Sequence, residues 1–229
     1  MIKYTNWLTL DQDRFDILAP GTVLSALDFG MGVVIDTHPL LRIPAHILTH
    51  PRFKVRHRNL EDYDTTNYTL PRFLELPALL KEHGKVLLTD FDSVLLRRPV
   101  EENRLVFWLG GNFDGRYKVG SWDEEGQRIM ATHVAMVGDT GLAFAEAVAE
   151  EIRDMGRKAR DTWFSDQVAL WRAWSNRGPW PDIRHQPHFY HGLQYKDRSG
   201  APCVHAGNWD EKAQPWVEYT REYQDRWHR

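Results

Sequence analysis

The chain has 229 residues, 42% of them hydrophobic, and a net charge of −3 from 29 Lys and Arg against 32 Asp and Glu. Such a length and apolar content support one sizeable core and exclude a disordered chain, while the charge and the lack of a dense Lys/Arg stripe argue against a polyanion such as nucleic acid as partner. The single cysteine, Cys203, excludes an internal disulfide, so a reducing cytoplasm is the expected compartment; no run approaches the ~18 apolar residues of a membrane span, and MIKYTNWLTLDQDR has no apolar leader core.

Residues 2–10 read as a first strand, 22–29 as a short helix after a Pro20-Gly21 break, and 33–36 as a buried strand. Apolar and basic residues alternate over 53–58, as in a half-exposed strand. Helical spacing over 68–83 ends at Gly84, a good C-cap, with Pro77 inside as a kink. A central strand follows at 86–89. This order predicts an α/β fold with a mostly parallel sheet. Further strands are expected at 105–109 and 116–119, flanking a turn at 110–115, and at 129–137. A long helix is expected over 140–160 and another over 163–176. The remainder, 180–229, reads as strands and loops rich in aromatics, His, Pro and Gly that fold back over the site. The whole chain, 1–229, reads as one unit.

The most informative stretch is Lys85-Val-Leu-Leu-Thr-Asp-Phe-Asp92, an apolar run that ends in two aspartates one residue apart. In extended backbone Asp90 and Asp92 point the same way. At ~4 Å and an effective dielectric of ~20, two such charges repel by roughly 4 kcal/mol, which a shared divalent ion removes. Carboxylate oxygens suit Mg2+ or Mn2+, and the carboxyl end of a strand is where open α/β sheets bind ligands. Most of the ten tryptophans lie in the second half, and indole faces suit both core packing and the C–H face of a sugar. The His185, His188 and His191 run, interrupted by Pro187, reads as loop and pocket lining rather than a metal site.

Segment 90–95 resembles the first motif of haloacid-dehalogenase-like phosphatases, with Asp90 as nucleophile, Asp92 as general acid and Gly138-Asp139 imitating a later acidic motif. That family opens its domain with this strand, whereas residues 1–89 precede it here, and position 143 is Ala where a second acid is wanted. A non-catalytic carbohydrate-binding protein would account for the tryptophans without the aspartates.

A wider resemblance covers most of the chain. Asn67-Tyr68 and Arg72-Phe73 open a helix leading into 85–92; Ser165-Asp166-Gln167-Val168-Ala169-Leu170 resembles an Asp-Gln-x-Ala-Leu helix; Val204-His205-Ala206-Gly207 with Lys212 and Pro215-Trp216 resembles a His…Gly…Lys-Pro-Trp segment. Together they resemble GT-A fold glycosyltransferases of the glycogenin-like, family-8-related type. The resemblance implies transfer of a sugar from a UDP- or GDP-sugar donor to a hydroxyl acceptor: a glycan, a protein or, less in keeping with the charge, a modified DNA base. It assigns Mn2+ or Mg2+ to Asp90, Asp92 and His205, donor diphosphate contacts to Arg72, Asp90, Gly207 and Lys212, and catalytic roles to Asp166 and Asp92; it makes 1–99 the nucleotide-sugar-binding half and 100–229 the acceptor-binding half and closing segment, with Tyr4, Trp7 and Asp11 as candidate contacts for the base. The Gly and Lys spacings depart from the family pattern, and Lys212 is not followed directly by Pro.

Overall fold

The computed structural model describes residues 1–98, 105–109, 125, 129–162, 164–180, 183–186, 203–205 and 213–229. Strands β1 (Ile2–Trp7), β2 (Gly32–Thr37), β3 (Phe53–His57), β4 (Lys85–Thr89), β6 (Leu105–Leu109), β7 (Ile129–Val137) and β8 (Ile183–Gln186) form one sheet in the order β3-β2-β1-β4-β7-β6-β8. Every pairing is parallel except those of β7 with β4 and β6. A small second sheet pairs β5 (Ser93–Leu95) antiparallel with β9 (Cys203–His205). The expected α/β fold with a mostly parallel sheet is therefore the observed one.

Alternation along β1 assigns its side chains to two cores. Ile2 and Tyr4 face a cluster built with α3 (Pro71–His83), α4 (Gly138–Asp154) and α6 (Ser165–Asn176). The opposite face packs Val33, Ile35 and Leu87 against α1 (Gln12–Asp28) and the last two helices, α7 (Ala213–Tyr219) and α8 (Arg221–Trp227). Helix α3 ends, as its sequence implies, on Gly84 at φ 70°, whose N–H caps the Leu80 carbonyl. Between these elements lie two short helices, α2 (Ala45–Leu48) and α5 (Arg157–Arg160).

Four expectations need correction. Helix α1 starts ten residues before position 22, capped by the Asp11 carboxylate on the Arg14 N–H, and runs through Pro20-Gly21 without breaking. Tertiary contacts override the local breakers: Trp216 Nε1 and Gln224 Nε2 both donate to the Ile17 carbonyl, at 3.2 and 2.7 Å, next to the proline step where helix carbonyls open outward. The 140–160 helix is α4 and α5, separated at Met155 and Gly156. The tail is not only strands and loops, because α7 and α8 are helices anchored by the fully buried Trp216 and Trp227. Burying two indoles of ~150–250 Å² each is worth several kcal/mol, enough to order two helices of only seven residues each. Finally, His185 lies in β8. The 110–115 turn, the 116–119 strand, Trp163, His188 and His191 lie outside the described residues.

No described helix is long and apolar enough to cross a membrane. Trp171, Trp174 and Trp180 pack on the α3-side core, with Trp180 edge-on to Phe144 at 5.1 Å.

Candidate active site

The strand that ends in the acidic pair stops at Thr89, so Asp90 and Asp92 do not lie in extended backbone: Phe91 and Asp92 form a turn into β5. The turn is held at both ends. Asp90 N donates to the Thr132 carbonyl of β7 at 3.2 Å, and Ser93 Oγ donates to the Asp90 carbonyl at 2.8 Å. Phe91 is the apolar anchor between them, buried and in ring contact with Phe15 at 5.3 Å and Trp7 at 5.1 Å. Anchoring the middle residue leaves the aspartates on either side half-buried.

Three of the residues singled out in the sequence meet in one ionic junction. Arg72, from the first turn of α3, directs Nη1 to Asp90 Oδ1 at 2.5 Å and Nη2 to Asp166 Oδ2 at 3.0 Å. Its side chain is 4% exposed, that of Asp166 8% and that of Asp90 29%. Asp166 is the second residue of α6 and also accepts from the Gln167 N–H at 2.8 Å. Burial alone pulls the Arg72 pKa down, but the charges of Asp90 and Asp166 overcome that and leave it above its ordinary value. The guanidinium is therefore a permanent buried cation.

The loop before α3 positions this junction. Asn67 Nδ2 donates to Ser165 Oγ at 2.8 Å, tying the start of α3 to the start of α6, and Asn6 Nδ2 at the end of β1 donates to the Tyr68 carbonyl. Tyr68 lies within the field of the site: burial, then the Asp90 charge, raises its hydroxyl pKa, so it stays a neutral donor. Asn6, Asn67 and Gln167 were not singled out as site residues. Their signal was weak, since an isolated Asn or Gln has no charge to demand a partner. Arg72 Nε and Gln167 Oε1 are buried with no hydrogen-bond partner among the described residues, the kind of orphan that a bound polar ligand or water satisfies.

For a divalent cation, the described donors are the carboxylates of Asp90 and Asp92; no group of three or more His, Cys, Asp or Glu stands ready among the described residues. The β5–β9 register sets His205 opposite Ser93, the residue after Asp92. The two half-buried carboxylates are of the oxygen-ligand type that Mn2+ or Mg2+ takes. Gly207 and Lys212 lie outside the described residues. Of the candidate base contacts, Tyr4 is fully buried with its hydroxyl on Asp36 at 2.7 Å and so faces away from any ligand, Asp11 is exposed and caps α1, and Trp7 is half-buried beside Tyr68 and Phe91.

The phosphatase reading fails on topology. Because β7 runs antiparallel to β4 with Lys85 opposite Val137, Gly138-Asp139 lies at the start of β4, where Gly138 N donates to the Gly84 carbonyl. Five residues of strand, roughly 16 Å, separate it from Asp90.

No protein-family model and no curated protein sequence matches the chain. Solved structures do. The galactosyltransferase LgtC in complex with donor and acceptor sugar analogs aligns over 100% of this chain and 97% of its own, at TM-score 0.62 and 9% identity. An active-site glutamine mutant of LgtC aligns over 97% and 96%, at 0.60 and 9%. The bifunctional glycosyltransferase WbbM, in its apo form, aligns over 100% of this chain and 51% of its own, at 0.57 and 11%. The chain has the GT-A fold of these glycosyltransferases.

Proposed function

We propose that this chain is a metal-dependent glycosyltransferase of the family-8-related type that acts in the cytoplasm, moving a sugar from a UDP- or GDP-sugar to a hydroxyl acceptor. The observation that carries the reading is the Asp90–Arg72–Asp166 junction at the carboxyl end of β4, in a fold shared with the galactosyltransferase LgtC. Asp90 and Asp92, with His205, would hold Mn2+ or Mg2+, which when bound supplies positive charge to the departing diphosphate. Arg72 keeps Asp90 and Asp166 in fixed relative position, so that a metal-side and a sugar-side carboxylate face one substrate. Asp166 would orient the transferred sugar or receive the acceptor's proton. Gln167, with a buried amide oxygen lacking a partner among the described residues, would accept from a sugar hydroxyl, and LgtC has a glutamine in its active site. Gly207 and Lys212 would add donors to the diphosphate. The acceptor class is a glycan or protein hydroxyl, bound by the second half of the chain.

A thermal-shift panel of UDP and GDP with and without Mn2+ tests the reading. A rise in melting temperature that needs both Mn2+ and one of the nucleotides supports it, since a ligand that binds only the folded state stabilises by mass action. Binding of free glycan with no response to nucleotide and metal would replace it with a carbohydrate-binding role.

A further inference from the structure

The side of the aspartate turn that faces away from Arg72 is also built from charged and polar groups, and none of them belongs to the donor set above. Lys3, the second residue of β1, is completely buried, and its Nζ donates to the Thr22 carbonyl of α1 at 2.8 Å and to the Ser93 carbonyl at 2.9 Å. Thr22 Oγ1 donates to the Phe91 carbonyl. One turn later Ser25 Oγ accepts from Leu95 N at 3.1 Å while donating to the Gly21 carbonyl at 2.6 Å. Phe91, Ser93 and Leu95 are thus each tied through their backbone to Lys3 or to one turn of α1. The approach is close enough to require glycine at position 21, where a Cβ would meet Val94 Cγ2 at 2.7 Å and Thr220 Cγ2 at 2.9 Å.

Burying an ammonium group is costly, and a methionine of similar length would fill the same space without that cost. The reason for a lysine therefore lies in what its Nζ holds and in its charge. Strand alternation puts Lys3 on the α1 face and Arg72 acts from the α3 face, so the turn carrying Asp90 and Asp92 has a buried cation on either side of the sheet.

We propose that Lys3, Thr22 and Ser25 are positioning residues for the metal-binding turn. They fix the backbone of residues 91–95 so that Asp90 and Asp92 meet a divalent cation together, and the Lys3 charge offsets the repulsion between the two carboxylates before the cation arrives. The inference rests on the glycosyltransferase reading of those aspartates. It is tested by the electron paramagnetic resonance signal of free Mn2+ in titrations of the full chain, with and without UDP. Lys3→Met and Thr22→Val are expected to weaken Mn2+ binding by about tenfold or more, the usual effect of removing support behind a metal ligand. Thr22→Ser, which keeps the hydroxyl, should bind as the wild type does. Leu18→Ala, a core truncation in the same helix, should lower the melting temperature without changing Mn2+ affinity. If Thr22→Val binds Mn2+ as tightly as the wild type, or if Leu18→Ala weakens binding as much as Thr22→Val, the proposal is overturned while the metal site stands. If the wild type itself binds no Mn2+ with UDP, the reading of the aspartates falls and the positioning role with it. Should Lys3→Met not fold, the Thr22 pair decides.

Discussion

Two arginines in this chain, Arg56 and Arg72, are each held by two carboxylates, and the two clusters share the α3 face of the sheet. Arg56 grips both oxygens of Asp36, at 2.6 and 2.7 Å, and reaches Glu75 at 3.1 Å; Tyr4 adds a third bond to the same Asp36. Arg72 takes one oxygen from Asp90 and one from Asp166. Each guanidinium also lies over a ring, Tyr4 at 5.5 Å and Phe73 at 5.1 Å. The chemistry is the same, but Asp36 is sealed with both oxygens taken, whereas Asp90 gives one oxygen to its arginine and opens to solvent. A saturated ion cluster holds strands β1, β2 and β3 to α3. An unsaturated one at the carboxyl end of β4 can hold something else as well.

Mutations can separate the two clusters. The largest loss of stability is expected from Arg56→Met, which leaves the Asp36 charge sealed in the core; about 3–5 kcal/mol should appear in denaturant unfolding, with Mn2+ and nucleotide affinity of the folded protein unchanged. If that affinity collapses too, the division into a structural and a functional cluster is wrong. Arg72→Met should cost about 3 kcal/mol, at the lower end of that range, because Asp90 can turn to water although the buried Asp166 loses its partner, and it should abolish the Mn2+-dependent thermal shift with UDP or GDP.

Tyr4→Phe should lose about 1.5–3 kcal/mol, the range for a hydrogen bond to a charged group, and should also change the alkaline limb of stability. Burial, then the Asp36 charge, pushes the Tyr4 pKa well above its ordinary value. The native state therefore keeps this proton where the unfolded chain has lost it. Stability is fully present below the unfolded pKa of about 10 and falls as pH rises from there towards the folded value. In Tyr4→Phe that fall should be shallower; an unchanged slope in alkaline denaturant titrations would show that another group sets it. Asp92→Ala should be the mildest, within about 0.5 kcal/mol of wild type as a part-exposed turn residue, while eliminating Mn2+-dependent hydrolysis of a nucleotide sugar. Undiminished turnover in that variant would remove Asp92 from the metal site.

Much of the frame was readable residue by residue. The apolar run into Asp90, the strand at 129–137 and the glycine stop of α3 follow from periodicity and from φ > 0 at Gly84. Arg72 and Asp166 were each identified as site residues, but their direct contact was not, because their separation of 94 in sequence is closed only by the packing of α3, α4 and α6. Lys3 gave no signal at all. One lysine on the polar side of an alternating strand looks solvent-facing until α1 is laid across it.

The order of strands and helices, the acidic end of β4 and the polar helix start at 165–167 were written locally, in patterns of two and 3.6 residues and in the few residue types that cap or end an element. Tertiary packing decided that α1 passes through Pro20-Gly21, that the tail forms helices, that the aspartates sit on a turn, and which cation faces which carboxylate. Those outcomes depend on desolvation and on partners from distant segments, and a buried charge has no defined neighbour until the surfaces around it have closed.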